Sequence, residues 1–430
     1  MKRLARIQNL AIVLLTLSMV VLIANLPLFG ALSDRSLWEL ARDREERESA
    51  VPSDAPDAAR LVFPVRIVYT NSFARLGADA LTTLSGEFER AGTYLGEAIG
   101  SSGGASPVSE AVFLSALRGE GLYFDFPTAL PTKVLSDLLG VAVPAPEPEL
   151  TGVRRMLLCP EDGQDATLYV QDGALAHYRF STAVSSLALR DYLASQSGNS
   201  ADFAFLLGEA YTGLSPYTLV LSDPAPRAAL SASDLFAGNS DAFLRRAGFN
   251  AHAENRFTES TGTVIVREVS STLYLRPDGT VDYQGGGVAA DSPYFVPAAA
   301  PDGPTLVEAA TAAQTLVTTL LRDELGDAAL YLSGVRSVGA RFEITFDLMA
   351  NGTPIRFSDG SHAVSVTVEG QRVSAFTLKT RRYTLTDEPA LLLPVALSAA
   401  IARVYDGAEL IVAYVDTGGE SVLPVWIAEE

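Results

Sequence analysis

The sequence predicts an α+β protein in which an N-terminal transmembrane helix precedes extracytoplasmic domains, each built from a helix and an antiparallel meander. Three observations predict this fold class. The chain opens with a long uncharged segment, helical and period-2 apolar patterns follow it, and Asp-Gly and Asn-Gly turns separate the predicted strands. The 430 residues, 48% of them hydrophobic, suffice for two or three domain cores.

The N-terminal segment decides the predicted topology. No charged residue occurs between Arg6 and Asp34, and this stretch supplies the about 20 apolar residues that a membrane helix needs. A signal peptide has a shorter apolar core of about 7–15 residues, and Phe29 stands where cleavage after Ala31 requires a small residue. We therefore predict an uncleaved anchor within residues 1–33, with a removed signal peptide as the alternative. The basic residues before it place the N-terminus in the cytoplasm and the bulk of the chain outside.

The next two regions are a spacer and a first folded domain. Residues 34–59 are charged and then rich in Pro, Ser and Asp, which is typical of a spacer. Residues 60–230 form the predicted N-terminal extracytoplasmic α+β domain. Its β-type runs LVFPVRIVYT and LYFDF alternate with amphipathic helical patterns, and two Asp-Gly turns predict hairpins because Gly accepts the positive φ of a tight turn.

The two later predicted domains, 231–300 and 301–430, share one order of elements, a helix followed by an antiparallel meander. In the second of them, Thr305 and Glu308 have the spacing of a capping box, and Gly326 predicts the helix end. The apolar stripe of this helix consists of Leu306, Ala310, Ala313, Val317 and Leu320. Such a stripe and the period-2 strands supply complementary apolar faces, which favours an α+β layer.

Charge and cysteine content exclude several classes of function. The net charge of −19 argues against nucleic-acid binding and against docking onto anionic lipid. The single cysteine, Cys159, cannot form an internal disulfide or a thiolate metal site. Its apolar surroundings in MLLCPE predict a buried small side chain.

Motifs of catalysis and metal binding are missing from the sequence. His177, His252 and His362 lie in separate predicted units without the spacing of a zinc motif. The sequence contains neither a nucleophile elbow nor a phosphate-binding loop. We therefore predict a non-enzymatic protein with no catalytic residue, no cofactor and no metal site. A hydrolase stays an alternative, because two carboxylates that face one cleft cannot be identified from a single sequence.

Two groups of residues are candidates for protein contacts. Ala11, Ser18 and Asn25 recur every seven residues along one side of the predicted membrane helix, where small and hydrogen-bonding side chains allow helices to approach closely. Lys379 and Arg381 share one face of a predicted strand in LKTRRY and form a basic spot for an acidic partner. The alternative for both groups is a neutral role, in the membrane or on a solvated face.

Several segments of the second half resemble the YycH/YycI proteins of Gram-positive bacteria. They are FLRRAGFN, GTVIVREVSSTLYLRPDGTVDY, FDLMANGTPIRF and LPVWIA, and the resemblance covers Ser231 to Glu430 by pattern rather than by an invariant motif. It implies PepSY-like late domains in a membrane-anchored extracytoplasmic regulator of a WalK-type sensor kinase, whose two-component system controls cell-wall metabolism. The partners implied are a membrane sensor histidine kinase and a paralogous regulator. The high alanine content and the acidic charge depart from the family pattern, and a cell-envelope glycan-binding module or hydrolase is the competing function.

Overall fold

β-Strands predominate over helices in the structure, which is a computed structural model. It describes residues 62, 64–79, 87–138, 150, 152–221, 227–235, 240–250, 256–286, 293–300, 303–321, 324–379 and 381–429. The predicted anchor, with Ala11, Ser18 and Asn25, and the loop residue His252 lie outside the described residues.

The first half of the chain contributes nine strands among the described residues. They are β1 Arg66–Thr70, β2 Arg75–Asp79, β3 Gly103–Val108, β4 Gly121–Leu130, β5 Val153–Cys159, β6 Asp165–Asp172, β7 His177–Ser185, β8 Ala201–Phe203 and β9 Leu219–Leu221. The helices of this half are α1 Glu87–Ser101, α2 Glu110–Arg118, α3 Thr132–Leu138 and α4 Ser186–Ala194, and two short 3₁₀ turns follow at Ala204–Leu206 and Glu209–Tyr211.

The second half is richer in strands. They are β10 Arg227–Asp234, β11 Arg256–Thr258, β12 Val264–Glu268, β13 Ser271–Leu275, β14 Thr280–Gly285, β15 Ala328–Val338, β16 Arg341–Ala350, β17 Thr353–Phe357, β18 Val364–Glu369, β19 Arg372–Lys379, β20 Arg381–Ala390, β21 Glu409–Asp416, β22 Ser421–Val422 and β23 Pro424–Glu429. The helices are α5 Asp241–Arg246, α6 Leu306–Leu321 and α7 Val395–Ala402.

These strands pair in four sheets. A seven-stranded antiparallel sheet has the order β2-β1-β4-β5-β6-β7-β3, and an eleven-stranded sheet runs β11-β12-β13-β14-β19-β18-β16-β17-β21-β23, with β15 paired to β16. Within the larger sheet, β17 and β21 are parallel. Two small sheets, β20-β10-β22 and β8-β9, complete the described part.

The predicted fold class, α+β with PepSY-like helix-plus-meander domains, is wrong, because the chain is mainly β and forms large sheets. The meander β11 to β14 does not end as a separate layer. Its last strand pairs with β19, with Thr280 opposite Lys379 and Gln284 opposite Ala375. A meander alone would leave the outer N–H and C=O groups of β14 unpaired, and this pairing satisfies them.

The described part of the chain does not support the predicted single-pass membrane anchor. Within the described ranges no helix is long and apolar enough to cross a membrane. The longest of them, α6, has 16 residues, which corresponds to about 24 Å at about 1.5 Å per residue. A bilayer core is about 30 Å thick, so α6 is too short to span it.

Two local predictions, a capping box and a tight turn, are confirmed. The backbone N–H of Thr305 donates to Glu308 Oε2 at 2.7 Å, and the N–H of Glu308 donates to Thr305 Oγ1 at 3.2 Å, so the predicted capping box is confirmed. Hydrogen bonds from the backbone N–H groups of Thr305 and Ala299 lower the pKa of the Glu308 carboxyl group. Asn351 and Gly352 both adopt positive φ, 46° and 73°, in the predicted turn between β16 and β17.

One continuous core joins the two large sheets within the compact unit Ala58–Glu430. Strand β4 contacts β15, and helix α3 contacts α6. The core includes Phe124 from the first sheet and Phe346 from the second, both fully buried. Because the sheets meet in this way, the start of β21 lies beside β1 and β5, where the charged groups described next are found.

Candidate functional site

Five charged side chains, three of them buried, form a cluster between the seven-stranded sheet and β21. Glu409, at the start of β21, accepts hydrogen bonds from Arg66 and Arg155, the latter at 2.7 Å. Arg66 also donates to Asp125 on β4 at 2.7 Å, and Arg155 Nε lies 3.3 Å from the same carboxylate. Arg154 Nη2 is 3.5 Å from Glu409 Oε2. Asp125, Arg155 and Glu409 are each at most 5% exposed.

The two adjacent arginines of the cluster, Arg154 and Arg155, have pKa shifts in opposite directions. Burial opposes the charge of Arg155, but Asp125 and the neighbouring tyrosines outweigh it, so the pKa of Arg155 is raised. Burial and then the like charge of Arg155 lower the pKa of Arg154. The cluster holds three arginines and two carboxylates, so Arg154 is the cation with the weakest compensation.

A chain of uncharged and acidic groups extends the cluster towards α2. Arg155 Nη1 donates to Gln171 Oε1 at 2.7 Å, and Gln171 Nε2 lies 3.1 Å from His177 Nε2. Tyr217 Oη is 3.0 Å from the same histidine nitrogen and donates to Glu110 Oε1 at 3.3 Å. Burial lowers the pKa of His177 and raises that of Tyr217. Both groups are thus kept neutral at pH 7, which is a poor arrangement for activating the tyrosine as a nucleophile.

Two cavities adjoin the charged cluster. The arginine cavity, of about 450 Å³, is lined by Arg66, Arg154, Arg227 and Arg356 and by apolar residues of β2, β9 and β21. The histidine cavity, of about 570 Å³, is lined by Glu110, Gln171, His177 and Tyr217. Arg154, Glu409 and Glu429 line both cavities, so these three side chains lie at the boundary between them.

An exposed apolar surface, here called the α7 patch, occupies α7 and its flanking residues. The patch consists of Leu391, Leu393, Leu397, Ile401, Val404 and Tyr405, of which Leu391 is 98% and Val404 82% exposed. The opposite side of α7 is buried, where Ala399 and Ala402 pack against Leu410 of β21. The helix therefore has apolar residues on both its buried and its exposed side.

The two basic residues predicted as a contact spot each take part in a separate ion pair. Lys379 contacts Asp359 and donates to Ser361 Oγ at 3.1 Å. Arg381 donates to Asp416 Oδ1 at 2.8 Å and is only 8% exposed. Their role in partner binding stays a prediction, and Arg381 presents little surface through which to act.

The predicted buried state of Cys159 is confirmed, and burial raises the pKa of its thiol.

His177 begins β7 and is buried, whereas His362 is half-exposed and its Nδ1 lies 3.1 Å from Asp347 Oδ1. That hydrogen bond raises the pKa of His362. In the part of the chain that the structure describes, no group of three His, Cys, Asp or Glu residues could hold a metal ion.

Sequence reasoning missed the charged cluster, although one signal was visible. VRRMLLC, the sequence of β5, places Arg154 and Arg155 next to each other in a strand that is otherwise apolar and buried. A charged residue in such a strand requires a buried partner. Comparisons with protein-family models, with curated proteins and with solved structures give no match for this chain.

Proposed function

We propose that the protein is a non-enzymatic regulator that works outside the cytoplasm, binds a membrane sensor kinase and changes its signalling state. The observation that carries this proposal is the α7 patch. Six large apolar side chains are exposed between residues 391 and 405, and clustered exposed apolar side chains mark sites of protein contact. The patch lies within Ser231 to Glu430, the segment that resembles regulators of this type.

The geometry of the patch suits a protein partner. Leu397 and Ile401 are four residues apart and therefore lie on one side of α7, and Val404 follows three residues later in the turn after the helix. Tyr405 adds an aromatic side chain, a residue type enriched in binding hot spots. The only arginine within this stretch, Arg403, donates to the carbonyl of Glu209 and is held against the protein.

The mechanism follows from differential binding. A partner that contacts the patch in one signalling state more strongly than in the other shifts the kinase towards the first state. The sign and size of the effect depend only on this difference in binding free energy. The protein itself needs no chemical step for such regulation.

The contacts of the cavity carboxylates support a binding role over hydrolysis. Asp125 and Glu409 each contact at least two arginines. A glycosidase needs one carboxyl group that donates a proton and a second that faces the substrate, whereas these two are engaged in ion pairs. One observation favours the alternative of a glycan-binding module, since Trp426 lines the arginine cavity together with Glu409 and Glu429.

Co-purification tests the proposal. The full chain, tagged and crosslinked in cells, should retain a sensor histidine kinase that mass spectrometry identifies, and phosphorylation of the response regulator should change when the chain is deleted. The double variant Leu397→Glu with Ile401→Glu should reduce recovery of the kinase at least about tenfold, because it places two charges in the apolar contact. Val269→Glu, at a fully exposed turn, is the matched control and should behave as the unchanged protein. Equal recovery and equal regulation with the double variant would contradict the proposal.

A further inference from the structure

Arg154 has hydrogen-bonding capacity that the described part of the chain does not use. A guanidinium carries five N–H donors. Arg154 Nε is buried and has no hydrogen-bond partner among the described residues. Its Nη2 is 3.5 Å from Glu409, which is long for a hydrogen bond, and that carboxylate already accepts from Arg66 and Arg155. An unsatisfied buried donor costs free energy, and an anion in the adjacent cavity would remove this cost.

The charges around the arginine cavity favour a ligand with a single negative charge. Four arginines line it, and the carboxylates that line it are those of Asp125, Glu409 and Glu429. Among the described residues that line the cavity, arginines thus outnumber carboxylates by one, on a protein whose net charge is −19. A dianion such as phosphate would face repulsion from the three carboxylates. A carboxylate can instead accept two parallel hydrogen bonds from one edge of a guanidinium.

Apart from its charged residues and the amides of Asn199 and Asn351, the cavity is lined mainly by apolar side chains. The apolar side chains that line it include Leu76 and Ala78 of β2, Leu219 and Leu221 of β9, and Ile411 of β21. The volume of about 450 Å³ lies in the range of small-molecule sites, in which apolar walls surround a few polar groups that orient the ligand.

We propose that the arginine cavity binds an amphipathic carboxylic acid, with the carboxylate on Arg154 and the apolar body against β2 and β9. Two sources of this chemistry are a fatty acid and the free C-terminus of a short apolar peptide. The inference goes beyond the regulatory function proposed above and does not depend on the identity of the protein partner.

Isothermal titration of the full chain with two pairs of probes tests this site. The pairs are octanoate with octanamide, and N-acetyl-dileucine with its C-terminal amide. At least one acid should bind about tenfold or more tightly than its amide, as expected for a charge-assisted hydrogen bond. Preference for octanoate identifies a lipid-derived ligand, and preference for the peptide acid identifies a peptide end. If neither acid binds more tightly than its amide, the proposal is wrong.

Two variants and a control locate the binding. Arg154→Gln should abolish the preference for the acid, whereas Arg341→Gln, an exposed arginine remote from the cavity lining, should retain it. Leu221→Trp keeps every charge and fills part of the apolar wall, so it should weaken binding of the preferred acid about tenfold. This second variant decides the question where Arg154→Gln does not fold. An acid preference that survives Arg154→Gln, or unchanged binding in Leu221→Trp, would overturn the assignment.

Discussion

Replacing Glu409 with Gln removes the negative charge on which the charged cluster depends. Glu409 contacts Arg66, Arg154 and Arg155, and its side chain is 7% exposed. The substitution keeps the size of the side chain but replaces an oxygen that accepts hydrogen bonds with an NH₂ group that donates them. Three arginines then remain with the single carboxylate of Asp125.

The expected loss of stability is large because the charges are buried. Removing one partner of a buried ion pair costs about 3–5 kcal/mol, since the remaining charge is left without compensation. Glu343→Gln is the matched control, because it makes the same chemical change in a pair with Arg336, whose side chain is 74% exposed. Exposed pairs contribute at most about 1 kcal/mol.

Urea denaturation of the three proteins, followed by circular dichroism, measures these differences as shifts of the midpoint. Glu409→Gln should lose at least about 3 kcal/mol in the free energy of unfolding, and the control less than about 1 kcal/mol. Adding Arg154→Met to Glu409→Gln should restore part of the loss, because it removes one uncompensated cation. A loss below about 1 kcal/mol in Glu409→Gln would refute the reasoning that this carboxylate neutralises the cluster.

Three further predictions follow from other regions. A non-glycine residue in the left-handed conformation costs about 1–2 kcal/mol. Gly326→Ala should destabilise the protein by more than this, because φ is +71° and the new Cβ would also collide with the carbonyl oxygen of Tyr383. Gly339→Ala, with φ +62° and open space, should cost no more than that in the same denaturation assay. The hydrogen bond to the buried Asp347 raises the pKa of His362 above 6.5. The melting temperature should therefore fall as the pH rises through the pKa of the folded state. His362→Gln should make this fall smaller between about pH 6 and pH 8. Protease added to intact cells should digest the unit Ala58–Glu430, because the proposal places it outside the cytoplasm. Complete protection in intact cells, with digestion only after lysis, would contradict that location.

Local features of the fold were predictable from the sequence, and long-range pairings were not. The Thr305 capping box and the Asn351-Gly352 turn depend on residues within one helical turn or one hairpin, so their sequence patterns are specific. The pairing of β14 with β19 depends on which unpaired strand edges meet in space. Arg66 and Glu409 are in contact although they lie 343 positions apart in the chain. No local sequence pattern indicates that two residues so far apart are partners.

Strand β21 connects the two proposed binding sites, the arginine cavity and the α7 patch. Glu409 holds the arginines beside the cavity, and the next residue, Leu410, packs against Ala399 and Ala402 on the buried side of α7. A carboxylic acid on Arg154 would compete with Glu409 for this guanidinium, and any resulting shift of β21 changes the support of the α7 patch. Coupling between two binding sites is reciprocal. If a kinase binds at the patch and an acid binds in the cavity, each changes the affinity for the other by the same factor. A factor of one would show that β21 does not couple the two sites.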